Sequence, residues 1–320
     1  MKKNVFILGI AALALSSCNQ FKKGEGDLLY KIHEDKNGPT IKDGDMIAFK
    51  AIEKTEEDSV IFSSYDFDRS AILVKEKSLF KGDINAALSL LSEGDSATFK
   101  VNLDSMQAKM GQPKPQNTKG KYMIFQIKVE KVIPRGKLND QAFRAEIEKF
   151  MTAESTKAKS QEASKINGYI NSNNLKPSVT STGLNYVITQ QSNGAKATAG
   201  DTVQVNYTGK FLSGKVFDTS IQEVAKKAGN FNPMRPYTPI KIPVGVGESI
   251  KGFEEGLMLL PKGSKATLIL PSSLAYGEQG NPAIPPFTPL VFDVEVLNII
   301  PKSANAATPP PPAPVPPAQK

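Results

Sequence analysis

The sequence predicts an α+β protein of two related domains, each a curved antiparallel β-sheet wrapped around a short helix, joined by a helical connector. Three observations carry that expectation. One segment of the chain recurs farther on at a fixed spacing. Apolar and polar residues alternate, strand-like, through both copies. One short stretch in the second copy shifts to helical spacing.

The repeat comes first. Tyr30-Lys31-Ile32 through Gly38 to Gly44-Asp45 lies on Tyr186-Val187-Ile188 through Gly194 to Gly200-Asp201 at a constant offset of 156. Leu90-Leu91-Ser92-Glu93-Gly94 then matches Leu259-Leu260-Pro261-Lys262-Gly263, and Phe125-Gln126-Ile127-Lys128-Val129 matches Phe292-Asp293-Val294-Glu295-Val296. A proline follows each copy, Pro134 and Pro301. A repeat of this length is a domain duplication and not a solenoid. The copies are expected over residues 28–134 and 183–301, with a tether at 18–27 and the connector at 135–182.

Within the second copy, Thr202-Val203-Gln204-Val205-Asn206-Tyr207 alternates as a half-buried strand does, and so do residues 265–270 and 290–297. β-Branched and aromatic residues enrich the last of these. Ile250, Phe253, Leu257 and Leu260 recur at helical spacing with Glu254 and Glu255 outward, until Pro261 and Gly263 stop the helix. In the connector, Asn139 or Asp140 can cap a helix whose apolar face starts with Phe143, Ile147, Phe150 and Met151. After a polar, small-residue stretch, Ile166, Tyr169 and Ile170 resume a stripe, which reads as two helices or one long frayed helix. The heptads are not sustained, which favours a spacer that packs on its own domains over a dimerisation helix, so a homodimer stays an open alternative.

The ends of the chain are of a different kind. Lys2 and Lys3 precede an apolar run at 5–15, too short to span a bilayer, so residues 1–17 read as a secretory signal. Leu15-Ser16-Ser17-Cys18 resembles a bacterial lipobox, which implies acylation of Cys18 and anchoring of the chain to a membrane. Asn19 in place of Asp favours, by the same resemblance, the periplasmic face of the outer membrane. Residues 302–320 end in Pro309 to Pro312, Pro314, Pro316 and Pro317, a tail expected to stay extended and outside any core.

The chain has 320 residues, a net charge of +8 and 22% charged residues. No basic run carries interleaved aromatics, so nucleic acid is not an expected partner. Cys18 is the sole cysteine and His33 the sole histidine, which excludes a disulfide, a His-based triad in the second copy and a His-rich metal site. No metal and no cofactor are expected. Gly245-Val246-Gly247 with Gly252 has the wrong spacing for a dinucleotide loop, and no P-loop lysine follows.

What remains is an ordered series: Tyr207-Thr208-Gly209, then Gly214-Lys215-Val216-Phe217-Asp218-Thr219-Ser220, Gly252-Phe253-Glu254-Glu255-Gly256, Ala275-Tyr276-Gly277, Ile284-Pro285-Pro286 and Leu290-Val291-Phe292-Asp293. This series resembles the FKBP-type peptidyl-prolyl cis-trans isomerases over nearly all of residues 183–301. The resemblance implies that proline-containing polypeptides are the substrate and that Tyr207, Phe217, Ile250, Phe253 and Phe292 line a proline pocket with Phe253 as its floor. It implies that Tyr276 and the N–H of Ile250 hold substrate carbonyls, and that Asp218, tethered to Tyr207, faces the twisting bond. Ser249 joins the substrate contacts, with Ile240, Ile242 and Ile284 at the rim. The chain departs from the family pattern at Phe253, where tryptophan is common, and at Ile240 and Ile242, where aromatics are. It also carries an insertion within 222–237 that reads equally as a substrate lip or a plain loop, with a helical turn at 223–227. The first copy has Ala51 at the place of Tyr207 and lacks Ala-Tyr-Gly and Ile-Pro-Pro, so an FKBP-like fold without isomerase activity is expected there.

Overall fold

A computed structural model of the chain describes residues 20–302 apart from 112, 116 and 117. Cys18, the apolar leader and the Pro-rich tail from 303 lie outside the described residues. The chain divides into two compact units between Met151 and Thr152.

In the first unit the elements run β1 (Lys22–Lys23), β2 (Leu29–Glu34), β3 (Met46–Thr55), β4 (Val60–Ser63), β5 (Ala71–Val74), α1 (Ile84–Leu88), β6 (Ser96–Asn102), α2 (Leu103–Met110) and β7 (Tyr122–Ile133). The strands form one antiparallel sheet in the order β1-β2-β6-β7-β3-β4, with β5 also paired to β3. A core of Ile47, Phe49, Phe99, Val101, Ile127 and Val129 closes against Leu88 and Leu91 at the end of α1. Asp83 caps α1 by accepting the Ala86 N–H at 2.8 Å.

A single 33-residue helix, α3 (Asp140–Ser172), follows. Asn139 Oδ1 caps it by accepting the Ala142 N–H at 2.8 Å, and the polar middle does not interrupt it. Its last turns belong to the second unit: Ile166 packs with Ile269 and Val291, and Tyr169, Ile170, Leu175 and Leu212 surround them.

The second unit continues with β8 (Ser178–Val179), β9 (Asn185–Gln190), β10 (Thr202–Phe211), β11 (Val216–Thr219), α4 (Gln222–Ala228), β12 (Ile240–Pro243), α5 (Lys251–Leu259), β13 (Lys265–Leu270) and β14 (Leu290–Ile300). Its sheet order is β8-β9-β13-β14-β10-β11, with β12 also on β10. Strand for strand, this is the order of the first sheet. The offset of 156 carries β2 onto β9 and β3 onto β10 without a shift at either end.

The irregularities repeat as well. β3 slips against β7 between Ala48 and Phe49, and β10 slips against β14 between Gln204 and Val205. Opposite β6 the first sheet skips His33, and opposite β13 the second skips Thr189. Each bulge adds local twist and lets a sheet curl around its helix. The repeated Gly-Asp pairs have a common task. Asp45 accepts the N–H of Lys42 and of Arg135, and Asp201 accepts those of Thr198 and Lys302, each at 2.8–2.9 Å. One carboxylate thereby ties the turn before the long strand to the end of the last strand.

Two expected boundaries shift. The segment read as a free tether contains β1, which pairs with β2, and the connector region contains β8, which pairs with β9. Both strands are two residues long, too short to leave an alternation in the sequence. Helix α5 approaches β13 closely because two of its residues lack side chains. A β-carbon on Gly252 would stand 2.8 Å from Leu270 Cγ, and one on Gly256 2.4 Å from Leu268 Cδ1. That approach seals Phe253 and Leu257 into the core.

Candidate active site

The second sheet brings its aromatic residues to one place. Tyr207 lies on β10, Phe217 and Asp218 on β11, Phe253 on α5 and Phe292 on β14. Phe253 meets Tyr207 edge-on with ring centres 6.0 Å apart, and meets Phe292 at 5.0 Å in a tilted contact. Phe217 stands edge-on to Phe292 at 5.8 Å. Phe211, which the motif series omits, extends the cluster with a centre 5.1 Å from that of Phe217. Tyr207, Phe253 and Phe292 are buried and Phe217 is half-buried, so the rings form an apolar wall whose most accessible member is Phe217.

Polar groups border this wall. The Tyr207 hydroxyl donates to Asp218 Oδ2 at 2.5 Å. Burial, and then Asp218, push the Tyr207 phenol up to about 12, so it remains a neutral donor. Arg235 pairs with the other Asp218 oxygen, Oδ1, and its Nη2 donates to the Tyr207 hydroxyl at 3.2 Å. Asp218 is thus held from two sides. Sequence reading missed Arg235 because it lies in the irregular stretch after α4, where no periodicity marks a residue as facing inward.

The insertion therefore contributes to the site. Its helical turn is α4, and beyond it Phe231 stacks on Tyr237 at 5.5 Å. Met234, the neighbour of Arg235, is 88% exposed.

Ile250 precedes α5, and its N–H has no acceptor among the described residues. Ile250, Ser249, Tyr276 and Ser273 line one cleft of about 610 Å³. Tyr276 is half-exposed, and its phenol is raised by burial and then by the charge of Asp218. The cleft is thus lined by a residue with a main-chain donor that has no acceptor among the described residues and by a tyrosine with a neutral hydroxyl.

Glu254 was expected to point outward; it points inward and is 4% exposed. Its carboxylate accepts the N–H groups of Val246 and Gly247 at 3.1 Å and of Ser249 at 2.6 Å. Burial works to raise its pKa, but the N–H groups of Ser249, Gly247, Val246 and Gly245 prevail and lower it. The Gly-rich stretch before α5 is wrapped around this carboxylate, which takes up its main-chain N–H groups. The positive φ of Gly245 and Gly247 allows that wrapping.

Ile240 and Ile242 are half-buried on β12, opposite Val205 and Val203. Ile284 differs from expectation: it is 2% exposed and not at the rim. Asn281 and Ile284 pair across a tight turn, with Asn281 Oδ1 accepting the Ile284 N–H at 2.8 Å, and this tucks the side chain under the loop.

At the equivalent positions the first unit has no such wall. Ala51 stands for Tyr207, Phe62 for Asp218 and Glu53 for Gly209. The frame is kept: Ser64 Oγ accepts the Ala51 N–H at 2.9 Å, as Ser220 Oγ accepts that of Tyr207 at 3.0 Å.

The family described as FKBP-type peptidyl-prolyl cis-trans isomerase matches residues 193–297. The chain is 31% identical over 237 residues to a protein of Neisseria meningitidis serogroup B named for the same activity, covering 71% of this chain and 75% of that one. It is 44% identical over 106 residues to a peptidyl-prolyl cis-trans isomerase of Saccharomyces cerevisiae, covering 32% of this chain and 69% of the yeast protein. A solved structure of FkpA from Escherichia coli aligns at 31% identity and a TM-score of 0.38, over 52% of this chain and 75% of that one. The chain spans about half the length of several curated relatives that it matches, 46%, 54% and 58% of three of them.

Proposed function

The chain belongs to the family of FKBP-type peptidyl-prolyl cis-trans isomerases, and from that premise we propose that its second unit accelerates rotation about X-Pro bonds in polypeptide substrates. The observation that carries the proposal is the wall of Tyr207, Phe217, Phe253 and Phe292, with Asp218 hydrogen-bonded to the Tyr207 hydroxyl; Ile250, three residues before Phe253 in the chain, lines a cleft with Tyr276.

Rotation about the peptide bond meets a barrier of about 18–20 kcal/mol, because amide resonance is lost as the bond twists. The planar amide is more polar than the twisted one, so an apolar pocket favours the latter. Donors fixed in advance hold the flanking carbonyls in the turn that presents proline. About 1.4 kcal/mol of differential stabilisation supplies each tenfold in rate. Neither nucleophile nor proton transfer is required. The Tyr207 phenol, held neutral, keeps Asp218 oriented beside the bond that twists.

The finer reading is an envelope protein, acylated at Cys18 and facing the periplasm from the outer membrane, that acts during folding of envelope proteins. The lipobox-like residues 15–18 and Asn19 support it. The first unit keeps the sheet and loses the aromatic wall, which supports a copy without isomerase activity. The C-terminal part of the apolar stripe of α3, Ile166, Tyr169 and Ile170, packs on the second unit, which supports a spacer over a dimerisation helix.

The test is the exchange rate of an X-Pro peptide with soluble protein beginning at Asn19, beside the double variant Phe253→Ala with Tyr276→Phe. Acceleration that collapses in the double variant supports an isomerase with its pocket in the second unit. Folded wild-type protein that gives no acceleration would sink the proposal. A second reading, a module that holds unfolded chains, is favoured by one observation: Val60, Ile61 and Phe62 on β4 and Ile72, Leu73 and Val74 on β5 are all exposed. Suppression of client aggregation that survives the double variant would support it.

A further inference from the structure

We infer that Glu162, on the helix before the isomerase fold, is a positioning residue that sets the loop carrying Tyr276; its catalytic consequence rests on the function proposed above. The loop, residues 271–289, leaves the sheet at the end of β13 and rejoins it at the start of β14. Along it lie Tyr276, Ile284, Pro285 and Pro286.

Helix α3 is seated at the roots of this loop. Its Ile166 packs on Ile269, just before the loop, and on Val291, just after it. One turn earlier, Glu162 presents both carboxylate oxygens to Ser272. The Ser272 N–H donates to Oε1, and the Ser272 hydroxyl donates to Oε2 at 2.9 Å. Ser272 is 3% exposed and opens the 3-10 turn Ser272–Leu274, which runs directly into Ala275-Tyr276. The turn has no side-chain cap of its own. A carboxylate from another element therefore does the capping, and bidentate contact with a buried serine fixes direction as well as distance.

Lys159 adds a second contact. It pairs with Glu278 at 2.9 Å and lies over the Phe287 ring at 5.5 Å, on the outgoing and the returning arm of the loop. Phe287 has φ +52°, a conformation that side chains disfavour, and its N–H donates to Gly277 O at 2.9 Å. The Lys159–Glu278 pair is exposed on both sides and holds little by itself. Glu162 is the anchor and Lys159 an auxiliary.

The substrate donor of the loop is the Tyr276 hydroxyl. If Glu162 acts on catalysis, it acts through the placement of that hydroxyl. A double-mutant cycle in the full chain isolates this. In Glu162→Ala, kcat/KM for an X-Pro peptide is expected to fall about five- to tenfold, the loss of two hydrogen bonds to a charged acceptor. Added to Tyr276→Phe, the same change is expected to have no further effect. Glu162→Gln keeps an acceptor for the Ser272 N–H and recovers most of the rate. Hydrogen exchange reads the brace without any substrate: amides at 272–288 exchange at least about threefold faster in Glu162→Ala, and those of β13 and β14 stay as they were. An unchanged rate together with unchanged loop exchange would overturn the inference. So would a fall that persists undiminished beside Tyr276→Phe, because the effect would then be general and not routed through the loop. Wild-type protein without isomerase activity would remove the function proposed above, and loop exchange alone would then decide the brace.

Discussion

The ring of Phe217 lies so close to Gly209 that a β-carbon on Gly209 would stand 2.6 Å from its Cζ. Phe292 Cε1 would be 3.0 Å from the same carbon. The glycine of Tyr-Thr-Gly is thus a hole in β10 into which two pocket rings fit. Gly209→Ala must push both rings outward. The obstructing atoms are ring tips, which can swing, so the fold is expected to survive with a cost of about 1–3 kcal/mol. Isomerisation is expected to fall at least tenfold. Peptide exchange beside a thermal melt separates the two effects, and full activity in this variant would mean that the position of Phe217 is immaterial.

Tyr207 has a pH signature. Burial and Asp218 push its phenol up to about 12, whereas an unfolded tyrosine titrates near 10. The folded state therefore holds this proton more tightly than the unfolded chain does. Its contribution to stability is complete below about pH 10 and is lost as pH rises toward about 12. Isomerisation is expected to be flat from pH 6 to about 10, because Tyr276 is shifted upward as well. A titration step in rate near pH 8 would contradict the assignment of both hydroxyls as neutral donors.

Glu254 has the opposite sign. Its carboxyl lies below the ordinary 4.5, so its contribution is present above that value and is lost as pH falls through the lowered one. Activity at pH 5 is therefore expected to match that at pH 7. Glu254→Gln removes the charge and turns an amide NH2 toward main-chain N–H groups. A loss of about 1–3 kcal/mol is expected. Because Ser249 and Ile250 ride on this loop, KM is expected to rise more than kcat falls. Steady-state kinetics checks this, and a pure loss in kcat would place the effect elsewhere.

The duplication was legible because strand length and the Gly-Asp turn repeat without insertion between residues 30 and 45. The aromatic wall was legible because its residues sit in the ordered motif series, on three regular strands and the amphipathic helix α5. Glu254 was not, since a glutamate at an outward helical position reads as solvated, and only the curl of the preceding Gly-rich loop brings donors to it. Arg235 and Glu162 were missed for a related reason. Each acts across a long sequence separation, Arg235 from irregular chain and Glu162 from the polar middle of a long helix. Periodicity reports which face of an element is apolar; it does not report which polar side chain another loop will reach.

Glu53 shows what became of the hole in the first unit. It takes the place of Gly209, standing opposite Phe62 on β4 and Phe125 on β7. Burial raises its carboxyl above the ordinary 4.5. The folded unit thus holds this proton more tightly than the unfolded chain does, and the sign is the reverse of that for Glu254. Its stabilising contribution is present below the ordinary carboxylate value and is lost as pH rises through the raised one. At neutral pH the charge opposes folding of the first unit. Glu53→Gln is therefore expected to stabilise that unit at pH 7 and to have little effect at pH 4. Native-state hydrogen exchange of the β3 and β7 amides at the two pH values measures this unit separately from the second. Slower exchange in the variant at pH 7 alone is the expected result. Equal exchange in both proteins at pH 7 would mean that water reaches the carboxylate freely, and the carboxylate would then carry no penalty for filling the place of the glycine.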